Sequence, residues 1–457
     1  MNARSSRATH LARRTGTATI PKNVYLLLGT FLVLEYTRIP SIIPVLGVLR
    51  LQFLLTLLIA VAWFRYADRN DLRHPIVRWV LAFTFLCGLS VFYTPNTRAA
   101  FNMTVNIFLY LVAVILPLLA FVRTTDRLKW FLGLFTGSCV FISLWALTHA
   151  GMGPGGFITD ENDCALVLNV ALPFAVALAG WPAQTARARL FWMGGACLLV
   201  LGTVATMSRG GFLGLVACAA VMFWYARRKM RVIGIALVSL LIVVPVAPLV
   251  LPARYMDEIR SIGDPNDGTR QNRLYFWKLG WMMYKANPVL GVGAGNYPWT
   301  VSDYEKQLPP DQLFQNRYSG GRPSHSLYFT LLPELGTAGV IVFASLVYLV
   351  IQTGRRVQFR PPRSRAKSVR SRAPSATADE PIPAEQLAID RVGRAVITSC
   401  LAFLATGAFI SVLYYPSFWH LCGIAASLGT IALRHRQATT PQAQAAQPGA
   451  AARIPST

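Results

Sequence analysis

A succession of apolar runs, each about 17 to 22 residues long, constrains this chain more than any other feature. A hydrocarbon core ~30 Å thick is crossed by about 20 helical residues. Inside it every backbone N–H and C=O must be satisfied by the chain itself, so runs of this length are helices. The alternating pattern of a membrane β-barrel is absent. Only 14% of the residues are charged, where a soluble domain carries about 25%. The expected fold is an all-α, polytopic integral membrane protein with about twelve transmembrane helices and one large loop. The spans are expected at 24–37, 43–64, 76–93, 102–122, 128–149, 164–181, 190–207, 211–225, 232–251, 326–352, 394–413 and 417–433. Glu35, Arg38 and Arg50 interrupt the first two, which read as a bent hairpin.

The net charge of +25 resembles that of a nucleic-acid-binding protein, but its distribution does not. With the N-terminus inside, 31 of the 44 Lys and Arg residues fall in inside segments. Setting aside the long loop, the inside-to-outside ratio is 31 to 4, the bias of cytoplasmic connections. The chain then divides into a basic cytoplasmic N-terminus (1–23), nine helices (24–251), a large outer loop (252–325) and a tenth helix (326–352). A basic cytoplasmic linker (353–393), two further helices (394–433) and a cytoplasmic tail (434–457) complete it. The linker and tail, rich in Arg, Ser, Pro, Ala and Gln, read as disordered, and the linker as attracted to anionic membrane lipids. The seven cysteines form no Cys-x-x-Cys pair and point to neither a zinc site nor a disulfide framework.

This topology gathers the unusual residues on the outer face. Ser208-Arg209-Gly210-Gly211 lies between two apolar runs; its glycines permit a tight turn, and the following helix offers free N–H groups to an anion. Arg209 adds a planar donor fork suited to phosphate, or alternatively snorkels to lipid headgroups. At 3.6 residues per turn, Arg270, Arg273, Trp277, Trp281 and Tyr284 share one helical face. Such a face suits a ligand with phosphates and sugar rings, and equally an interfacial helix. Asn287-Pro288-Val289-Leu290-Gly291-Val292-Gly293-Ala294-Gly295-Asn296 has glycine spacing like a nucleotide loop but no preceding strand and no Walker lysine, so a close backbone turn fits better. His325, between Ser324 and Ser326 where the loop re-enters the membrane, can act as a base or polarise a hydroxyl. His149 and His420 share the outer face without a supporting pattern. Glu334 is an acid deep in a span, read as neutralising an active-site arginine. Asp160-Glu161-Asn162-Asp163 reads as a helix cap, with a divalent-metal site the lesser alternative.

The ordered set Ser208-Arg209-Gly210, Arg273-x-x-x-Trp277, Asn287-Pro288-x-x-Gly291-x-Gly293, His325-x-x-Tyr328 and Glu334-Leu335-Gly336 resembles the O-antigen ligase and polysaccharide polymerase superfamily, over residues 100–350. Gly155-Gly156-Phe157 to Asn162-Asp163 looks like the O-glycosylation ligase branch associated with exosortase systems. The resemblance implies a metal-independent glycosyltransferase without cofactor, in the bacterial inner membrane with a periplasmic active site. It implies a glycan donor on undecaprenyl pyrophosphate and a glycan, lipid or protein hydroxyl as acceptor. By position, Arg209 and Arg273, with Arg270 beside them, would hold the pyrophosphate, and His325 would orient or deprotonate the acceptor; Glu334, Ser326 and Trp277 would support them. The family commonly has His-Asn where this chain has His325-Ser326, whose hydroxyl can donate as the amide does. The competing readings are a polymerase of the same superfamily, a transporter of the lipid-linked glycan and an assembly protein. No internal repeat of the kind transporters carry is evident.

The orientation has a direct check. Alkaline phosphatase fused after Thr300 should be active and after Ser375 inactive; the reverse pattern overturns it.

Overall fold

The computed structural model describes residues 20–226, 229–230, 268–314, 320–358 and 382–439. The ninth expected span (232–251) falls outside them, as do the start of the large loop and most of the N-terminal, linker and tail segments. Among the described residues the structure is helical, with one isolated bridge between Gly155 and Ile158. In chain order the helices are α1 (Lys22–Thr37), α2 (Ile39–Ile42), α3 (Pro44–Val48), α4 (Leu51–Tyr66), α5 (Pro75–Ser90), α6 (Thr97–Phe121), α7 (Thr125–Thr148) and α8 (Glu161–Ala179). They continue with α9 (Ala186–Ala205), α10 (Arg209–Tyr225), α11 (Gly268–Ala286), α12 (Tyr297–Glu305), α13 (Tyr328–Arg356), α14 (Ala384–Gly407) and α15 (Pro416–Thr439).

Among the described residues six helices, α6, α7, α8, α9, α13 and α15, are long and apolar enough to cross a membrane, and α4, α5 and α10 are shorter apolar helices. This is an all-α membrane protein. Two expected spans take another form. The second breaks into α3 and α4, between which Arg50 adopts a left-handed conformation (φ 45°). The eleventh begins ten residues early as α14, whose first turns carry Asp390 and Arg394 in an ion pair of 2.8 Å.

Burial separates centre from rim. The apolar stretches of α8 and α15 are 83% buried, whereas that of α9 is 22% buried and faces outward. Helix α8 packs against α7, α9, α10 and α14. Helix α10 approaches its neighbours closely through Gly211 and Gly214. A Cβ at Gly211 would meet Ala165 Cβ at 2.4 Å, and one at Gly214 would meet Thr406 Oγ1 of α14 at 1.8 Å. Asn169 of α8 donates to the Gly211 carbonyl at 2.8 Å, joining the helices by a buried polar contact as well as by close approach.

Helix α13 is interrupted at Gly336 (φ 60°, ψ −161°). The backbone groups freed there pair with the turn that closes α11. Val292 and Gly293 donate to the carbonyls of Pro333 and Glu334 (2.8 Å each), and Thr337 and Ala338 donate to those of Pro288 and Val289 (2.9 and 3.1 Å). Gly291, at φ 69°, has no room for a side chain: a Cβ would lie 2.4 Å from the Glu334 carbonyl carbon. The Glu334 side chain completes the joint. Oε2 accepts from Gly295 N (2.8 Å) and from the Tyr414 hydroxyl (2.7 Å), and Oε1 accepts from Tyr297 N (3.0 Å).

Buried N–H groups left without an acceptor cost about 1–3 kcal/mol each. Glu334→Ala should therefore lower stability by about 2 kcal/mol or more, and Glu334→Gln, which keeps one acceptor, by less. Thermal unfolding of purified protein measures this, and a Glu334→Ala variant that melts like the parent refutes the clamp.

Candidate active site

Ser208 starts the site. It caps α10, its hydroxyl accepting from Gly211 N (2.9 Å) and donating to Asn162 Oδ1 (2.7 Å). The chain reaches this cap through Met207 in a left-handed conformation (φ 55°). Gly210 and Gly211 are ordinary helical residues, so the expectation that they form the turn is corrected: Met207 makes the turn, and the glycines admit neighbouring helices. Arg209 is the first residue of α10, half-buried, at the end where the free N–H groups and the positive end of the helix dipole lie. Asp160 caps α8 beside it, accepting from Asp163 N at 2.8 Å.

Helix α11 has two faces. Tyr275, Phe276, Leu279 and Met283 are buried against Val292, Tyr297 and Val301 in a second small core. The other face carries Arg273 and Trp277 into the bundle. The Arg273 guanidinium lies 5.6 Å from the centre of the Phe409 ring, and Phe409 Cβ lies 3.0 Å from where a Gly210 Cβ would stand. Phe409 thus sits between the start of α10 and Arg273. Trp277 stacks on Phe329 (5.1 Å, 7°) and donates to the Ser324 carbonyl at 3.1 Å. It ties α11 to the segment before α13, and one ring face expected to receive a sugar is covered by Phe329.

That segment carries His325. Its neighbours anchor it: Leu327 N donates to Gly407 O of α14 (2.7 Å), and the Ser324 hydroxyl contacts those of Thr330 (2.8 Å) and Ser411 (3.2 Å). His325 is half-buried and left-handed (φ 51°), a conformation costing about 1 kcal/mol in a non-glycine residue and tolerated where the surroundings over-determine it. Burial, then the charge of Arg273, then that of Arg322 push its pKa below the usual histidine range, while Asp160 pulls it up. Together these influences favour the neutral imidazole, which can accept a proton, and they come from residues of α11 and the start of α8.

Arg273 lies within electrostatic range of His325, and Arg209 begins the helix on the other side of Phe409. Arg270 is exposed, one turn before Arg273 on α11. Ser326 is buried, and its hydroxyl accepts from Phe329 N at 3.4 Å, a helix-capping contact. Glu334 engages backbone N–H groups and Tyr414, where an arginine partner was expected. Trp281 is exposed and packs on Tyr284 (5.3 Å). His149 stacks on Trp145 (3.9 Å), and His420 is buried against Tyr36 (5.1 Å). Sequence reasoning missed Phe409 and the role of Asn162. Phe409 sits at the end of an apolar run, where an aromatic carries no distinguishing signal; the acidic cap had been noticed, but not its bond to Ser208.

Residues 194–344, about a third of the chain, match the family model described as O-antigen ligase. The match begins within α9 and ends within α13, so it covers Arg209, Arg273 and His325. No curated protein matches the chain. The match supports the O-antigen ligase superfamily and, with the apolar helices, a membrane glycosyltransferase of ligase or polymerase type.

Diethyl pyrocarbonate acylates the neutral imidazole, so its rate at His325 against pH reads the protonation state. The midpoint should lie below that of an unperturbed histidine. Arg273→Ala removes a charge that lowers the pKa and should move the midpoint up; Asp160→Asn should move it down. Midpoints unaffected by either change contradict the arrangement.

Proposed function

We propose that this protein transfers a glycan from undecaprenyl pyrophosphate to an acceptor hydroxyl on the periplasmic face of the bacterial inner membrane. The observation that carries the reading is a half-buried His325 within electrostatic range of Arg273, with Phe409 packed between Arg273 and the start of α10, where Arg209 lies. The family match over the same residues supports it.

The chemistry asks for these groups. The acceptor oxygen attacks the anomeric carbon, the bond from that carbon to the pyrophosphate oxygen breaks, and undecaprenyl pyrophosphate leaves with the electron pair. Pyrophosphate is a good leaving group, so charge stabilisation and orientation matter more than a strong acid. Arg209 and Arg273 supply positive charge where the leaving group gathers negative charge, and the N–H groups at the start of α10 add to it. His325 takes the hydroxyl proton. Arg270 attracts the donor from the exposed side. Trp277 and Ser326 hold the His325 segment, and Glu334 holds the turn behind it. No divalent cation is called for when two guanidinium groups face the pyrophosphate. The acceptor is a sugar, lipid or protein hydroxyl.

Deletion of the gene and complementation with single variants tests this. Lipid-linked donor should accumulate in the deletion strain. Arg209→Ala and Arg273→Ala should lower transfer by about 10²–10³, and His325→Ala by about 10²–10⁴, at normal membrane levels. The missing product identifies the acceptor and separates ligation from polymerisation. Full rescue by all three variants rules out the site.

A further inference from the structure

The residues that interrupt the first expected hairpin surround a cavity of about 580 Å³. Arg38 closes α1 and Arg50 precedes α4, both in left-handed backbone conformations (φ 51° and 45°), and both line it. Among the described residues neither guanidinium has a carboxylate in ion-pair contact, and Arg38 Nε is buried without a hydrogen-bond partner. Arg38 lies 5.5 Å from the Phe157 ring centre and fills the space that a side chain at Gly156 would take, a Cβ there falling 1.9 Å from Nη2. Gly155-Gly156-Phe157, a motif the transfer site does not use, is thus the cradle of this guanidinium. The one acid lining the cavity, Glu35, is buried, lies within electrostatic range of Arg38 and accepts a hydrogen bond of 2.5 Å from Gln52. The remaining wall is largely apolar, with Phe31, Leu46, Leu51 and Phe53 among it.

We propose that this cavity is a second binding site, for the phosphate headgroup of an amphiphile, distinct from the site around His325. Two arginines present planar donor forks that match phosphate oxygens. A buried guanidinium nitrogen without a partner is costly, and an anion relieves it. The apolar wall accommodates the hydrocarbon adjoining a headgroup, and a few polar groups in an apolar concavity are the usual make-up of a ligand site. The cavity lies at the same end of the bundle as the start of α10. The turn from Gly155 to Asp163 joins them, with Gly156 against Arg38 at one end and Asn162 against Ser208 at the other. The proposal does not rest on the transfer reaction, because its readout is binding.

The test uses the full chain purified in detergent and three probes: dihexanoyl phosphatidic acid, inorganic phosphate and dihexanoylglycerol. Microscale thermophoresis should show saturable binding of the phosphatidate, at least tenfold weaker binding of phosphate and none of the uncharged diglyceride. Arg50→Ala, at an exposed position, and Leu46→Trp, which fills the cavity and leaves both arginines, should each weaken phosphatidate binding at least tenfold. Arg98→Ala, an exposed arginine elsewhere, should not. Undiminished binding in Leu46→Trp overturns the proposal in favour of arginines that touch bulk headgroups. Equal affinity for phosphate and phosphatidate overturns the amphiphile assignment.

Discussion

The carboxylate of Glu334 joins the turn after α11 to the interrupted helix α13. It is buried within α13 and accepts from Gly295 N, Tyr297 N and the Tyr414 hydroxyl. These contacts, with four backbone hydrogen bonds between the α13 interruption and the turn after α11, lock the loop core onto the membrane bundle. An ionisable group at such depth is tolerated only where its partners are supplied. Because α11 enters that turn, its orientation, and hence that of Arg273, depends on the clamp. Removing it would loosen the site without touching a residue that faces it.

The site itself is a meeting of three distant segments. Ser208 and Arg209 begin α10, Arg273 comes from α11 and His325 precedes α13. Phe409, beyond the end of α14, packs between the first two, and the Leu327 N to Gly407 O bond ties the third to the same helix end. Burial and the arginine charge both disfavour the imidazolium. The left-handed conformations at Met207 and His325 lie at the two edges of this arrangement, where packing rather than local preference sets the backbone.

Much of this was legible along the chain. The apolar runs announced the helices, and Arg273 and Trp277 were placed on one face by helical spacing alone. The glycine-rich stretch was read as a close backbone turn, and it forms one against α13. The errors have physical causes. Gly210 and Gly211 looked like a turn because glycine serves both tight turns and close helix contacts, and only the neighbours Ala165 and Phe409 tell which. A one-dimensional pattern also cannot show that Phe329 covers one face of Trp277. Glu334 was matched with an arginine because burial of an acid demands partners, but backbone N–H groups meet that demand as well as a cation does.

What the amino-acid order determined by itself is the solvent and the element type: lipid around most of the chain, helix within it, and an unusual set of cations and one histidine between the spans. These follow from local quantities, the length of an apolar run and the spacing along a helix. Which of those residues meet was decided only by the tertiary structure. Contacts such as Phe409 with Gly210, Asn162 with Ser208, and Glu334 with the glycine turn join positions tens to hundreds of residues apart. Their energy depends on distances that no local pattern encodes.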